Sequence, residues 1–95
     1  MDTLQSLFGF AEADITPDGP VRLVGFPRAD NCSRGILHRL CAQVLLFSHH
    51  DRNYCIAAID SIGFTVSLTS RLRALMAQKL GVAPAAVMVC FSHTH

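Results

Sequence analysis

The last five residues are Phe91-Ser92-His93-Thr94-His95. In extended backbone alternate side chains share a side, so His93 and His95 are expected to face one cation or one substrate together. Imidazole is the commonest metal ligand in proteins and suits zinc. A catalytic zinc takes three protein ligands and keeps one position open. The other residues able to contribute are Asp60, His38, His49 and His50. His49 and His50 adjoin Asp51 in a polar stretch and read as a solvated turn. His38 begins a strand after a Gly-rich loop and could point into a cleft. Asp60 could ligate, orient a ligating imidazole by accepting a hydrogen bond from its N–H, or cap the loop ahead of a helix. Asp14, before Ile15-Thr16-Pro17, reads as a turn former whose carboxylate binds nearby N–H groups.

Other chemistries find less support. There is no GxSxG, and no Cys–His pair can be argued from spacing. Ser61-Ile62-Gly63-Phe64-Thr65 holds one glycine and no lysine, so it is not a phosphate-binding loop. Cys32, Cys41, Cys55 and Cys90 contain no CxxC pair, so neither a zinc knuckle nor a redox dithiol is indicated. Cys41, Cys55 and Cys90 lie in apolar runs and read as small buried hydrophobes, whereas Cys32 sits in a polar loop and is expected to be exposed. Arg22, Arg28, Arg34 and Arg39 fall in one stretch and read as a solvated loop face, one or two of them able to meet an anionic group. With net charge +1 and 7% aromatic residues there is no basic stripe for nucleic acid.

These residues need elements to hold them. A strand is expected from Phe8 to Ile15, reversed by Thr16-Pro17-Asp18-Gly19-Pro20. Residues 21–36 carry loop chemistry, with a short extended piece at Val21–Val24. Cys41–Phe47 and Tyr54–Ile59 read as strands of an antiparallel hairpin across the polar turn Ser48–Asn53. A helix follows, capped by Thr65 or Ser67, with Leu68, Leu72, Leu75, Met76 and Leu80 on one face and Arg71, Arg73, Gln78 and Lys79 largely off it. Gly81 suits its C-terminal end, Pro84 opens a single turn, and Ala86–Phe91 is a further strand. Strands joined by a crossover helix pair in parallel. Asp60 and His93 then both follow strand carboxyl ends, the edge where open α/β sheets bind ligands. The fold class is therefore α/β: a mixed sheet with a β-hairpin and a strand–helix–strand crossover.

Composition bounds how much of a domain this is. Of the 95 residues, 51% are hydrophobic and 16% charged, against roughly 25% charged in an average soluble domain. A small domain has proportionally more exterior and should be more polar. Residues 1–95 are therefore expected to be one partial domain, an incomplete part of a larger α/β fold, and uncovered sheet or helix surfaces could pair two copies into a homodimer. No basic, apolar leader and no apolar run of about 18 residues is visible. A cytoplasmic protein without a transmembrane segment is the expectation.

Five segments in order carry a resemblance: Ala13-Asp14-Ile15-Thr16-Pro17, Val24-Gly25-Phe26, Arg34-Gly35-Ile36-Leu37-His38-Arg39-Leu40, Ala57-Ala58-Ile59-Asp60 and Phe91-Ser92-His93-Thr94-His95. Together, from about Gly9 to His95, they resemble the N-terminal part of neutral/alkaline non-lysosomal ceramidases and their bacterial relatives. The resemblance implies a zinc-dependent amidase that cleaves N-acylsphingosine, or a related lipid amide, to sphingosine and a fatty acid. It makes His93 a zinc ligand and places His95 in the active site as a catalytic residue. The family's other ligands, a His, a Glu and a Tyr, come from farther downstream, and its motif continues as HTHSGP. An N-terminal fragment, inactive alone, is therefore expected. One departure concerns His38: the family loop puts His directly after Gly-Ile, and Leu37 intervenes here. A one-residue slip reverses the face a strand residue occupies.

Two other readings stand beside the amidase. One is a non-catalytic α/β module that binds a partner through its uncovered apolar surface. The other is a different metal-dependent amidohydrolase, although those place HxH after the first barrel strand and here at least three strands come first.

Overall fold

The computed structural model describes residues 7–23, 25 and 32–95. Val24, Phe26, Arg28 and Asn31 of the sequence reading, and the opening residues 1–6, lie outside the described residues. Strands β1 (Leu7–Asp14), β2 (Cys41–His49), β3 (Arg52–Ile59) and β4 (Val87–Phe91) form one sheet in chain order. Helix α1 (Val66–Leu80) and a 3-10 turn at Pro84–Ala86 connect β3 to β4. β1, β2 and β3 pair antiparallel, and β4 joins β3 in parallel. The mixed α/β sheet and helical crossover are thus as the periodicities require.

The hairpin is tighter than the polar run suggested. Pairing continues to His49 and Arg52, so only His50 and Asp51 form the turn. Both have positive φ, 49° and 62°, the type I′ pattern whose twist matches that of the flanking strands.

α1 starts at Thr65, whose hydroxyl accepts the Leu68 amide, and ends at left-handed Gly81. Its inward face differs from the leucine spacing. Ala77 is buried and Thr69, Leu72, Arg73, Met76 and Leu80 are half-buried around it, while Leu68 and Leu75 are exposed. Arg73 therefore lies on the packed face, not off it. Its Nε donates to Val87 O at 3.2 Å and its Nη2 to Pro84 O at 2.9 Å. The small Ala77 lets the helix approach the sheet, and the charged head of Arg73 satisfies carbonyls at the entrance to β4.

The core lies between α1 and one sheet face. Cys55, Ala77, Val82 and Val87 are buried there, flanked by Val44, Leu46, Met76, Leu80 and Val89. The pairings Leu46–Cys55 and Cys55–Val87 put those residues on one side. Rows such as Phe10–Leu45–Ile56–Met88 belong to the other side. There Phe8, Phe10 and Met88 are 72%, 67% and 59% exposed. Cys90 shares that side and is exposed, contrary to its expected burial; Cys41 is half-buried, and only Cys55 is fully enclosed. Among the described residues no helix is long and apolar enough to cross a membrane.

Candidate functional site

The carboxyl ends of β3 and β4 meet the start of β2 and the end of β1 at one edge of the sheet. Asp14, Asp60 and His93 lie at this edge, whereas His49 and His50 meet edge to face in the hairpin turn at the opposite end of β2, ring centroids 4.0 Å apart.

β4 stops at Phe91, but its backbone keeps bonding to the loop after β3. Ser92 N donates to Ile59 O at 3.1 Å and His93 N to Ser61 O at 2.8 Å. His93 turns here into the left-handed region, φ 63°. The shared side expected from extended backbone therefore does not apply at His93. A turn achieves the convergence instead, and the His93 and His95 rings lie edge to face with centroids 5.0 Å apart. The loop is braced by Phe64, whose ring packs on Phe91 at 4.9 Å.

The His93 ring is held as well as its backbone. Nδ1 lies 2.8 Å from Ile62 O. A carbonyl only accepts, so Nδ1 is the donor and Nε2 of the neutral ring carries the lone pair. Metal-binding histidines are oriented in this way, one nitrogen donating to a carbonyl or carboxylate and the other left for the cation. His93 thus fits a cation ligand through Nε2. Among the described residues no three His, Cys, Asp or Glu side chains gather into one group.

Asp60 is not the acceptor for that ring. Its Oδ2 accepts the Cys41 amide at 3.0 Å and the Cys41 thiol at 3.5 Å, while its own amide donates to Cys41 O at 3.0 Å. The Cys41 amide, the Cys41 thiol and then the Ser92 hydroxyl hold its carboxyl below the usual carboxylate range. Loss of surrounding solvent, and secondly Asp60, push the Cys41 thiol up. Asp60 therefore ties β2 to β3 and reaches the residue before His93.

Between β1 and β2 the chain leaves and re-enters the sheet through a polar knot. Asp14 Oδ1 accepts the Thr16 amide at 2.9 Å, and its Oδ2 meets Arg39 Nε at 2.8 Å. Thr16 Oγ1 accepts the Leu40 amide at 2.7 Å, and Ile15 N donates to Leu40 O at 2.9 Å. Farther out, Ser33 N donates to Val21 O and Ser33 Oγ accepts the Val21 amide, both at 2.8 Å. The turn-forming reading of Asp14 fits these bonds, and Arg39 is its ion partner rather than a bare loop cation.

This loop shares a cleft of about 490 Å³ with the C-terminal segment. His38 and Arg34 line it together with Thr94, His95 and the apolar Leu23, Ile36 and Leu40. A larger cleft of about 650 Å³, lined by Phe47, Tyr54, Ile56 and Met88 among others, lies toward the hairpin turn. Its walls lack the imidazoles that make the smaller one chemically interesting. Gly25, at φ 89°, passes under the His95 ring. A methyl built there would overlap Nδ1 and Cε1 of His95, so the approach requires glycine.

Sequence reasoning named His93, His95, Asp60 and His38 but missed Ile62, Gly63 and the Gly25 contact. A backbone carbonyl leaves no trace in residue type. The only available signals were isolated glycines in two loops. No family model, curated protein or solved structure matches the chain.

Proposed function

We propose that this chain is the N-terminal part of the catalytic domain of a zinc-dependent amide hydrolase of the neutral/alkaline ceramidase kind. In this reading His93 ligates zinc through Nε2 and His95 works beside the reacting bond. The observation that carries it is the His93–His95 pair at the carboxyl edge of a parallel strand pair, with His93 Nδ1 committed to Ile62 O. The open sheet face bearing Phe8, Phe10 and Met88 supports the partial-domain side of the reading, because apolar surface of that extent is ordinarily covered.

Zinc would supply Lewis acidity toward an amide carbonyl and toward water. The ligands that complete its set are assigned to residues outside these 95. Within the chain, His93 is oriented before any ligand arrives, its amide on Ser61 and its ring on Ile62. In this reading His95 would stabilise negative charge on the carbonyl oxygen or move a proton to the departing amine. The cleft it shares with His38 has the apolar walls a lipid amide needs, including Leu23, Ile36 and Leu40.

Metal content tests the reading directly. The protein expressed from its complete reading frame is purified as wild type and as His93→Ala, and zinc is measured by mass spectrometry beside fatty-acid release from N-acylsphingosine. Stoichiometric zinc in the wild type, lost together with hydrolysis in His93→Ala, is expected. Absence of zinc from both overturns the proposal in favour of the partner-binding module. Zinc present with no release of fatty acid from any lipid amide removes the substrate assignment.

A further inference from the structure

We infer that Gly63 is a positioning residue for His93: it sets the Ile62 carbonyl where it accepts a hydrogen bond from Nδ1–H, so that Nε2 carries the lone pair offered to a cation. The last clause rests on the zinc reading above; the first does not.

The peptide joining Ile62 to Gly63 is held at both ends. Its carbonyl accepts from His93 Nδ1 at 2.8 Å, and its N–H donates to Ser61 Oγ at 3.2 Å. Peptide planarity makes the two groups turn as one unit. The torsion that orients this plane against the following chain is φ of Gly63, at 144°. Just beyond it Phe64 is anchored on Phe91, so the plane cannot drift to a new position with the loop.

Two explanations for a glycine here are separable. Had packing required it, a Cβ would meet neighbouring atoms. None lies within 4 Å of a Cβ built at Gly63. The requirement is therefore conformational: an L side chain rarely adopts such a φ, and relaxing it rotates the carbonyl away from the imidazole. His93 itself stands at φ 63° with its amide on Ser61 O. A non-glycine residue in that region is a costly conformation that persists only where its surroundings hold it. The loop 61–63 thus fixes both the backbone and the ring of His93, and Gly63 is the residue that makes the ring contact reachable.

The test reads the tautomer, not the reaction. The protein expressed from its complete reading frame is labelled with 15N-histidine and its imidazole nitrogens are observed by long-range proton–nitrogen spectra in mildly alkaline buffer, above the ordinary imidazole range. Wild-type His93 is expected to carry its proton on Nδ1. In Gly63→Ala, with the remaining amide spectrum retained, the population shifts toward the Nε2–H form, and zinc ion added alone binds about 10-fold or more weakly. Ser61→Ala releases the other end of the same peptide and shifts the population in the same direction by less, which keeps the test open if Gly63→Ala does not fold. A wild-type ring protonated on Nε2 overturns the inference. So does an unchanged tautomer in every variant that folds. A wild-type ring protonated on Nδ1 that shows no perturbation by zinc ion overturns the zinc reading while upholding the role of Gly63.

Discussion

Asp60 and Cys41 face each other one position beyond the last ladder pair of β2 and β3, and they bond three ways: amide to carboxylate, thiol to carboxylate, and amide to carbonyl. A carboxylate at that point raises the thiol and is itself stabilised as an anion. Asp60→Asn keeps an oxygen for the Cys41 amide but removes the charge. Cys41 is then expected to react with iodoacetamide several-fold faster, since thiolate is the attacking form. The exposed Cys90 supplies the internal reference rate. An unchanged Cys41 rate would show that the carboxylate contributes nothing to holding the thiol protonated.

Asp14 predicts an acid-sensitive loop base. The Thr16 hydroxyl, the Arg39 guanidinium and the Thr16 amide pull its carboxyl down to about 2. A depressed folded-state value means that the stabilisation is present above the unfolded value of about 4 and is lost as pH falls through the folded value. The Thr16 amide and Arg39 Nε–H resonances should therefore keep their bonded positions at pH 5 and move to free positions as pH is lowered toward about 2. Asp14→Asn should abolish that movement. Resonances that shift instead near neutral pH would assign the knot to another group.

Arg73 carries the charged bonds of the packed helix face. Arg73→Met preserves the apolar stem and removes the guanidinium bonds to Val87 O and Pro84 O, leaving Pro84 O with the Val87 amide alone. A loss of about 2 kcal/mol in urea unfolding is expected, the range for bonds to a charged group. Arg73→Lys, which cannot present a fork of donors, should recover only part of it. A variant as stable as wild type would return Arg73 to the solvent face.

The hairpin turn is built from residues less suited to it than Asn-Gly. His50 and Asp51 both hold positive φ, which the Asn-Gly pair accepts at little cost. His50→Asn with Asp51→Gly is expected to stabilise the chain by about 1 kcal/mol. Thermal melting measures it, and a lowered midpoint would mean that the edge-to-face His49–His50 contact matters more than backbone strain.

Gly25 predicts a coupling across the cleft. Gly25→Ala should displace the His95 ring and erase the cross-peaks between His93 and His95 ring protons. In a His95→Ala background the same substitution retains only its backbone cost. The cycle should give an interaction of about 0.5–3 kcal/mol, the range for residues in contact. Additive effects would place His95 away from Gly25.

Most of the architecture was legible because it rests on local periodicity. The apolar runs at 41–47, 54–59 and 86–91, the cap at Thr65 and the stop at Gly81 each report a conformation within a few residues. The parallel pairing of β3 and β4 follows from the helix between them. Leucine spacing misplaced the inner face of α1, because it weighs hydrophobic size and cannot register that Ala77 allows close approach or that Arg73 finds two carbonyls. Cys90 was misread for a related reason: an apolar run does not say which sheet face is covered.

Residue types and order alone therefore establish the strands, the helix, their connection and the presence of two imidazoles after a strand. Folding decides how those imidazoles are held. His93 leaves extended geometry, donates a hydrogen bond from Nδ1 to Ile62 O and meets the His95 ring, which lies close against Gly25. Ile62 and Gly25 each lie more than thirty positions from the histidine they contact. Periodicity is a property of neighbours along the chain, whereas hydrogen bonding and close approach depend on atoms brought together through space.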